Sequence, residues 1–165
     1  MPQLPMTGIA KTCHDNKVAC HYAAPQSQPC LREGNVMSTI TPVKTLVAIA
    51  KSETNAVTPQ QAYDQLQAGT ATLIDIRDIR ELQREGEIDR AFHAPRGMLE
   101  FWADPQSPYH KEVFAQSDKL ILFCASSWRS ALAAKTLQDM GMTNIFDMDG
   151  GFNGWKSAGL PIKTT

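Results

Sequence analysis

Four consecutive large apolar residues, Leu120, Ile121, Leu122 and Phe123, stop at Cys124, and a few residues later an alanine-rich stretch takes up helical spacing. A short apolar run bounded this way reads as a buried strand. Ala133, Ala134, Leu137 and Met140 fall on one face of the helix expected over 129–140, and Gly141 closes it. The same alternation continues on both sides. A short helix is expected over 43–52. Thr58 is an N-cap with Pro59 at the first helical position, opening a helix that turns Ala62, Leu66 and Tyr63 inward and stops at Gly69. Strands are expected over 72–76, 92–94 and 144–148, and helices over 78–85, 98–103, 109–115 and 151–158. Strands alternating with helices imply an α/β domain with a mostly parallel sheet.

Within that pattern, Cys124 stands where the loop begins and Arg129 where the helix begins. Backbone N–H groups without intrahelical partners cluster at a helix N-terminus, and the helix dipole adds positive potential there. A thiol held in such a field ionises more readily, and the thiolate is the nucleophile. A cysteine ending a buried strand is also an ordinary small hydrophobe, which is the competing reading of Cys124.

Four residues separate Cys124 from Arg129, and Ser130 follows. This loop resembles the active loop of the rhodanese family of sulfurtransferases, which runs Cys, four residues, Arg and then commonly Ser. Related phosphatases and arsenate reductases carry one residue more, which makes a wider cradle suited to a tetrahedral oxyanion. Leu73-Ile74-Asp75-Ile76-Arg77-Asp78 is similar to the family's early strand and its Asp-x-Arg signature. Ala91 to Glu100 is similar to its next strand and turn, and Asp149-Gly150-Gly151-Phe152-Asn153-Gly154-Trp155 to its C-terminal Gly-Gly-x-x-x-Trp segment. The likeness runs from about residue 42 to the C-terminus and is strongest to bacterial single-domain rhodaneses with a Cys-Ala-Ser-x-Trp-Arg-Ser loop. It implies a three-layer domain, with helices on both faces of a mostly parallel sheet. Two departures stand out. Ser127 replaces the usual Gly, so that either Ser127 has ordinary backbone angles or the loop is strained. Gly86-Glu87-Ile88-Asp89-Arg90-Ala91 replaces the usual Gly-His-Ile-x-Gly-Ala.

The resemblance implies that Cys124 carries a persulfide between a small sulfur-containing anion such as thiosulfate and a thiol or cyanide acceptor, with a protein sulfur acceptor as a further partner. Ala125, Ser126, Ser127 and Trp128 supply loop amides that stabilise the anionic sulfur in the manner of an oxyanion hole. Arg129 either binds the anionic donor through its fork of N–H groups or braces the loop by bonding carbonyls or a carboxylate. Trp128 walls the pocket or covers core surface, and Trp155 reads as packing. Asp75 and Arg77 read as an ion pair behind the loop rather than acid–base partners, Arg96 as a surface arginine, and His93 as a hydrogen-bonded core or edge histidine rather than a base. A thiolate needs no base to attack a sulfane sulfur, so neither metal nor organic cofactor is required. The alternatives are a cysteine-dependent phosphatase or arsenate reductase, and a non-catalytic rhodanese-like interaction domain. The second of these usually lacks the cysteine.

The net charge of −1, with no run of Lys or Arg, argues against a nucleic-acid partner, and no apolar stretch approaches a membrane span. Of the four cysteines, Cys13, Cys20 and Cys30 precede the patterned part of the chain, which leaves Cys124 alone in it. That rules out a disulfide framework there and suits a reducing, cytoplasmic location. The domain plan is a disordered extension over 1–36, an N-terminal helix and linker over 37–57, and a rhodanese-like domain over 58–165. The sequence suggests that 1–36 is dispensable and a product of start-site choice, Met37 being the alternative start. Cys13-His14 and Cys20-His21 match no familiar zinc spacing.

Overall fold

The computed structural model describes residues 40–164. The expectations for 1–36, including the Cys13-His14 and Cys20-His21 pairs, lie outside the described residues. Five strands form one sheet in the order β1-β5-β4-β2-β3: β1 (Asn55–Val57), β2 (Thr72–Asp75), β3 (Phe92–His93), β4 (Leu120–Phe123) and β5 (Ile145–Met148). Every pairing in it is parallel. The helices are α1 (Val43–Glu53), α2 (Pro59–Ala68), α3 (Ile79–Glu85), α4 (Leu99–Ala103), α5 (Val113–Gln116), α6 (Trp128–Asp139) and α7 (Gly151–Ser157), with a 3-10 turn over Arg96–Met98.

Parallel strands are covered on both faces, and the strand residues divide by the two-residue period. Leu120, Leu122 and Cys124 pack with Ala133, Ala134 and Leu137 of α6 and Leu99 of α4. Ile121 and Phe123 face the opposite layer, with Ala62 and Leu66 of α2 and Phe152 and Trp155 of α7. Thr58 caps α2 reciprocally with Gln61, and Asp78 caps α3 in the same way with Glu81. Among the described residues no helix is long and apolar enough to cross a membrane.

Three local expectations need correction. Asn55–Val57, expected as the end of a linker, is an edge strand paired with β5. The helix expected over 109–115 shrinks to Val113–Gln116. Met140, expected inward, is instead the C-cap of α6, where the helix ends, and is 46% exposed.

The strand order positions a site. The connection leaving β2 leads to β3 on one side, whereas the connection leaving β4 leads to β5 on the other. Neighbouring strands whose connections diverge leave a crevice at their carboxyl ends, and Cys124 stands at that point.

Candidate active site

Cys124 follows β4 and is 1% exposed. The loop after it turns sharply because Ser127 adopts φ 66° and ψ 7°, the left-handed region. Only two non-glycine residues among those described have positive φ, Arg90 and Ser127. Both replace glycines of the resembling sequences, so the backbone keeps a glycine-like turn under a different side chain. The left-handed region costs an L-residue about 1–2 kcal/mol. At Ser127 a compensating bond is visible: its hydroxyl donates to Asp147 Oδ2 of β5 at 2.5 Å, and both residues are buried.

The start of α7 fixes the loop from behind. The amide of Phe152 donates to the Cys124 carbonyl at 2.7 Å, and that of Asn153 to the Ala125 carbonyl at 2.9 Å. With these carbonyls tied down, the amides of Ala125, Ser126, Ser127, Trp128 and Arg129 find no acceptor among the described residues. They form a set of unpaired donors in the loop that follows the thiol. Such close backbone approach needs Gly151, where φ is +57° and a Cβ would stand 2.4 Å from the Cys124 carbonyl oxygen and 2.9 Å from the Ser127 nitrogen. Gly151→Ala should therefore push the loop out of place and lower kcat about a hundredfold, the scale of an ångström-sized misplacement. Steady-state kinetics on the folded variant check this, and wild-type turnover would show that the loop tolerates the shift.

Arg129 meets Glu81 of α3 with both ends of its fork, Nη1 at 2.7 Å and Nη2 at 2.8 Å. The same carboxylate closes the α3 capping box by accepting from the Asp78 amide at 3.0 Å. The Arg129 guanidinium holds Glu81 well down, at about 2. A carboxylate lowered in this way stabilises the fold above its ordinary range, and that contribution is lost as pH falls toward 2. Arg129 is raised in turn, by Glu81 first and also by the nearby Cys124. Ser130 adds a hydroxyl that donates to Cys124 Sγ at 3.5 Å.

The structure thus gathers Cys124, Ser127, Arg129 and Ser130, with Ala125 and Ser126 between them. Trp128 is 46% exposed. Trp155 is buried, donating its indole N–H to the Pro161 carbonyl. Arg96 pairs with Glu100 at 2.6 Å, and the His93 ring nitrogen Nε2 meets the Arg77 carbonyl at 2.8 Å. Asp75, the last residue of β2, and Arg77 form a buried ion pair. Glu81 and Asp147 were missed by the sequence reading. The capping-box spacing signals that Glu81 sits at a helix start, but nothing local tells which cation it meets.

The family model described as a rhodanese-like domain matches residues 58–158. Thiosulfate sulfurtransferase GlpE of Haemophilus influenzae is 38% identical over 110 residues, covering 66% of this chain and 94% of the relative. Among solved structures, a protein of unknown function from Rhodopseudomonas palustris, described as a possible tyrosine phosphatase, is 44% identical with a TM-score of 0.72 and covers 76% of this chain and 97% of its own. The polysulfide-sulfur transferase homodimer of Wolinella succinogenes is 33% identical with a TM-score of 0.57, covering 74% and 87%. The match over 58–158, together with the GlpE likeness and the parallel sheet ending in Cys124, places this chain in the rhodanese-like domain family.

Proposed function

We propose that the protein is a sulfurtransferase that moves a sulfane sulfur from thiosulfate, or a similar small anion, to a thiol or cyanide through a persulfide on Cys124. The observation that carries this reading is Cys124, the one thiol among the described residues, at the end of β4 and followed by a loop whose amides have no acceptor among those residues. Relatives named for thiosulfate and polysulfide sulfur transfer support it. The Cys124 thiolate attacks the outer sulfur of thiosulfate. The bond between the two donor sulfurs breaks, and sulfite leaves with its electron pair. An acceptor thiolate or cyanide then attacks the outer sulfur of the persulfide, and Cys124 departs as a thiolate. The loop amides receive the anionic sulfur in both halves.

Arg129 has a divided part. Its two Nη groups are engaged by Glu81, so its first role is to hold the loop to α3, and its charge offsets the thiolate. The acceptor in the cell is a low-molecular-weight thiol or a protein thiol, and a reducing, cytoplasmic setting suits an enzyme whose described part holds one free cysteine.

A phosphatase reading has one neighbour in its favour, the structure described as a possible tyrosine phosphatase. The four-residue interval between Cys124 and Arg129 counts against it. Incubating the protein with thiosulfate and measuring intact mass tests both readings. The expected result is a gain of one sulfur atom, mapped to Cys124 and removed by cyanide. An unchanged mass together with hydrolysis of an aryl phosphate would replace the proposal with the phosphatase.

A further inference from the structure

Behind the loop lies a buried polar group that the transfer chemistry above does not use. Asp147 belongs to β5 and is 1% exposed, in a strand whose neighbours are mostly apolar. Its Oδ2 accepts the Ser127 hydroxyl at 2.5 Å. Its Oδ1 is buried with no partner among the described residues. Ser130, also fully buried, has one hydroxyl proton, which it gives to Cys124 Sγ at 3.5 Å while standing close enough to Asp147 to draw its carboxyl down.

We propose that Asp147 is a positioning residue for the sulfur carrier: it anchors the left-handed Ser127 and so holds the loop that follows Cys124 in place. This rests on the sulfurtransferase reading of Cys124. The bond from Ser127 is short and, while Asp147 is ionised, charge-assisted, so it offsets the cost of the left-handed backbone and fixes where the loop amides stand.

Burial pushes the Asp147 carboxyl up to about 6, against the lowering effect of Ser127 and Ser130. Of the charged groups around it, Lys51 from α1 pulls it down and Asp149 beyond β5 pushes it up. Cys124 is the titratable group of the loop. On α6, Arg129 is held by Glu81 and Lys135 by Glu53 and Asp139. Protonation of Asp147 would take the charge out of its bond with Ser127.

The test uses the full chain with Asp147→Asn, Asp147→Ala, Ser127→Gly and the Ser127→Gly/Asp147→Ala double variant. The rate of Cys124 alkylation by iodoacetamide is followed on both sides of pH 6, alongside kcat and KM for thiosulfate. The wild-type pH profile should show an inflection near 6, and Asp147→Asn, whose amide does not titrate, should lack it. Asp147→Ala and Ser127→Gly should each lower kcat about tenfold with little change in KM. The double variant, with neither an orphaned carboxylate nor a strained serine, should recover most of that loss. An inflection that persists in Asp147→Asn, or losses that simply add in the double variant, would overturn the proposal. Should Asp147→Ala fail to fold, the Asp147→Asn profile decides alone. Alkylation needs no sulfur donor, so it reads out Asp147 even if thiosulfate leaves Cys124 unloaded, the result that would defeat the sulfurtransferase reading itself.

Discussion

Cys124→Ser should abolish thiosulfate:cyanide sulfur transfer, by at least about a thousandfold, the scale on which removal of a covalent nucleophile is felt. A serine hydroxyl at this site has no comparable way to ionise, and an outer sulfur bound to oxygen has no counterpart to the persulfide. The fold should survive the change. Cys124 is buried in the cluster formed by Leu122, Ala133 and Leu137, and serine is slightly smaller, so the core loses little contact. The new hydroxyl also finds a partner in Ser130, which already faces the sulfur. The cost of a buried but bonded hydroxyl is about 1 kcal/mol. Thiocyanate formation and thermal unfolding, measured side by side, check both halves. Activity within tenfold of wild type in a folded Cys124→Ser protein would end the persulfide mechanism.

How much of this was legible in the sequence follows from where the information lies. Elements fixed by local chemistry read directly: the apolar Leu120–Phe123 strand, the Thr58 cap with Pro59 and Gln61, and the left-handed Gly69 that ends α2. Elements fixed by distant partners did not. Residues Asn55–Val57 show no alternation, with two exposed positions and one buried, and become a strand only because β5 presents a free edge to them. The helix N-terminal to β4 is short because Asp104-Pro105 and Ser107-Pro108 are followed by turns rather than a helical run. The candidate site divides in the same way. Cys124, Arg129 and the small residues between them are contiguous, and their order carries the resemblance. Glu81 is 48 residues from Arg129, and Asp147 is 20 from Ser127. Alone, Asp147 reads as one polar residue in a strand, and Ser127 as one missing glycine. Their meaning emerges when β5 lies beside the loop: a left-handed serine needs an anchor, and a buried carboxylate needs a donor.

Arg77→Met should destabilise the protein by about 3–5 kcal/mol, the range for removing one partner of a buried ion pair. The pair is unusually enclosed, with the Arg77 side chain at 0% and the Asp75 side chain at 2% exposure. Arg77 Nε reaches both carboxylate oxygens at 3.0 Å, Nη2 reaches Oδ2 at 2.7 Å, and the Arg77 backbone amide reaches Oδ1 at 3.0 Å. The guanidinium also donates to the Gly86 carbonyl at 2.9 Å and lies 3.8 Å from the centre of the Phe152 ring. One side chain therefore joins the end of β2, the C-cap of α3 and the second residue of α7. With methionine in its place, Asp75 keeps one backbone amide and otherwise faces an apolar layer as an uncompensated charge. Chemical denaturation should show a lower midpoint at an unchanged slope. The double variant Asp75→Leu/Arg77→Met should recover most of the loss, because an apolar pair carries no desolvation cost. If the single change costs under about 1 kcal/mol, the pair is not what holds these elements together. Function should follow stability at a distance. Asp78 opens α3 immediately after Arg77, and α3 carries the Glu81 that grips Arg129. The ion pair at the end of β2 thus sets where the loop's only guanidinium stands, and the folded fraction of Arg77→Met should show a lower kcat as well as a lower midpoint.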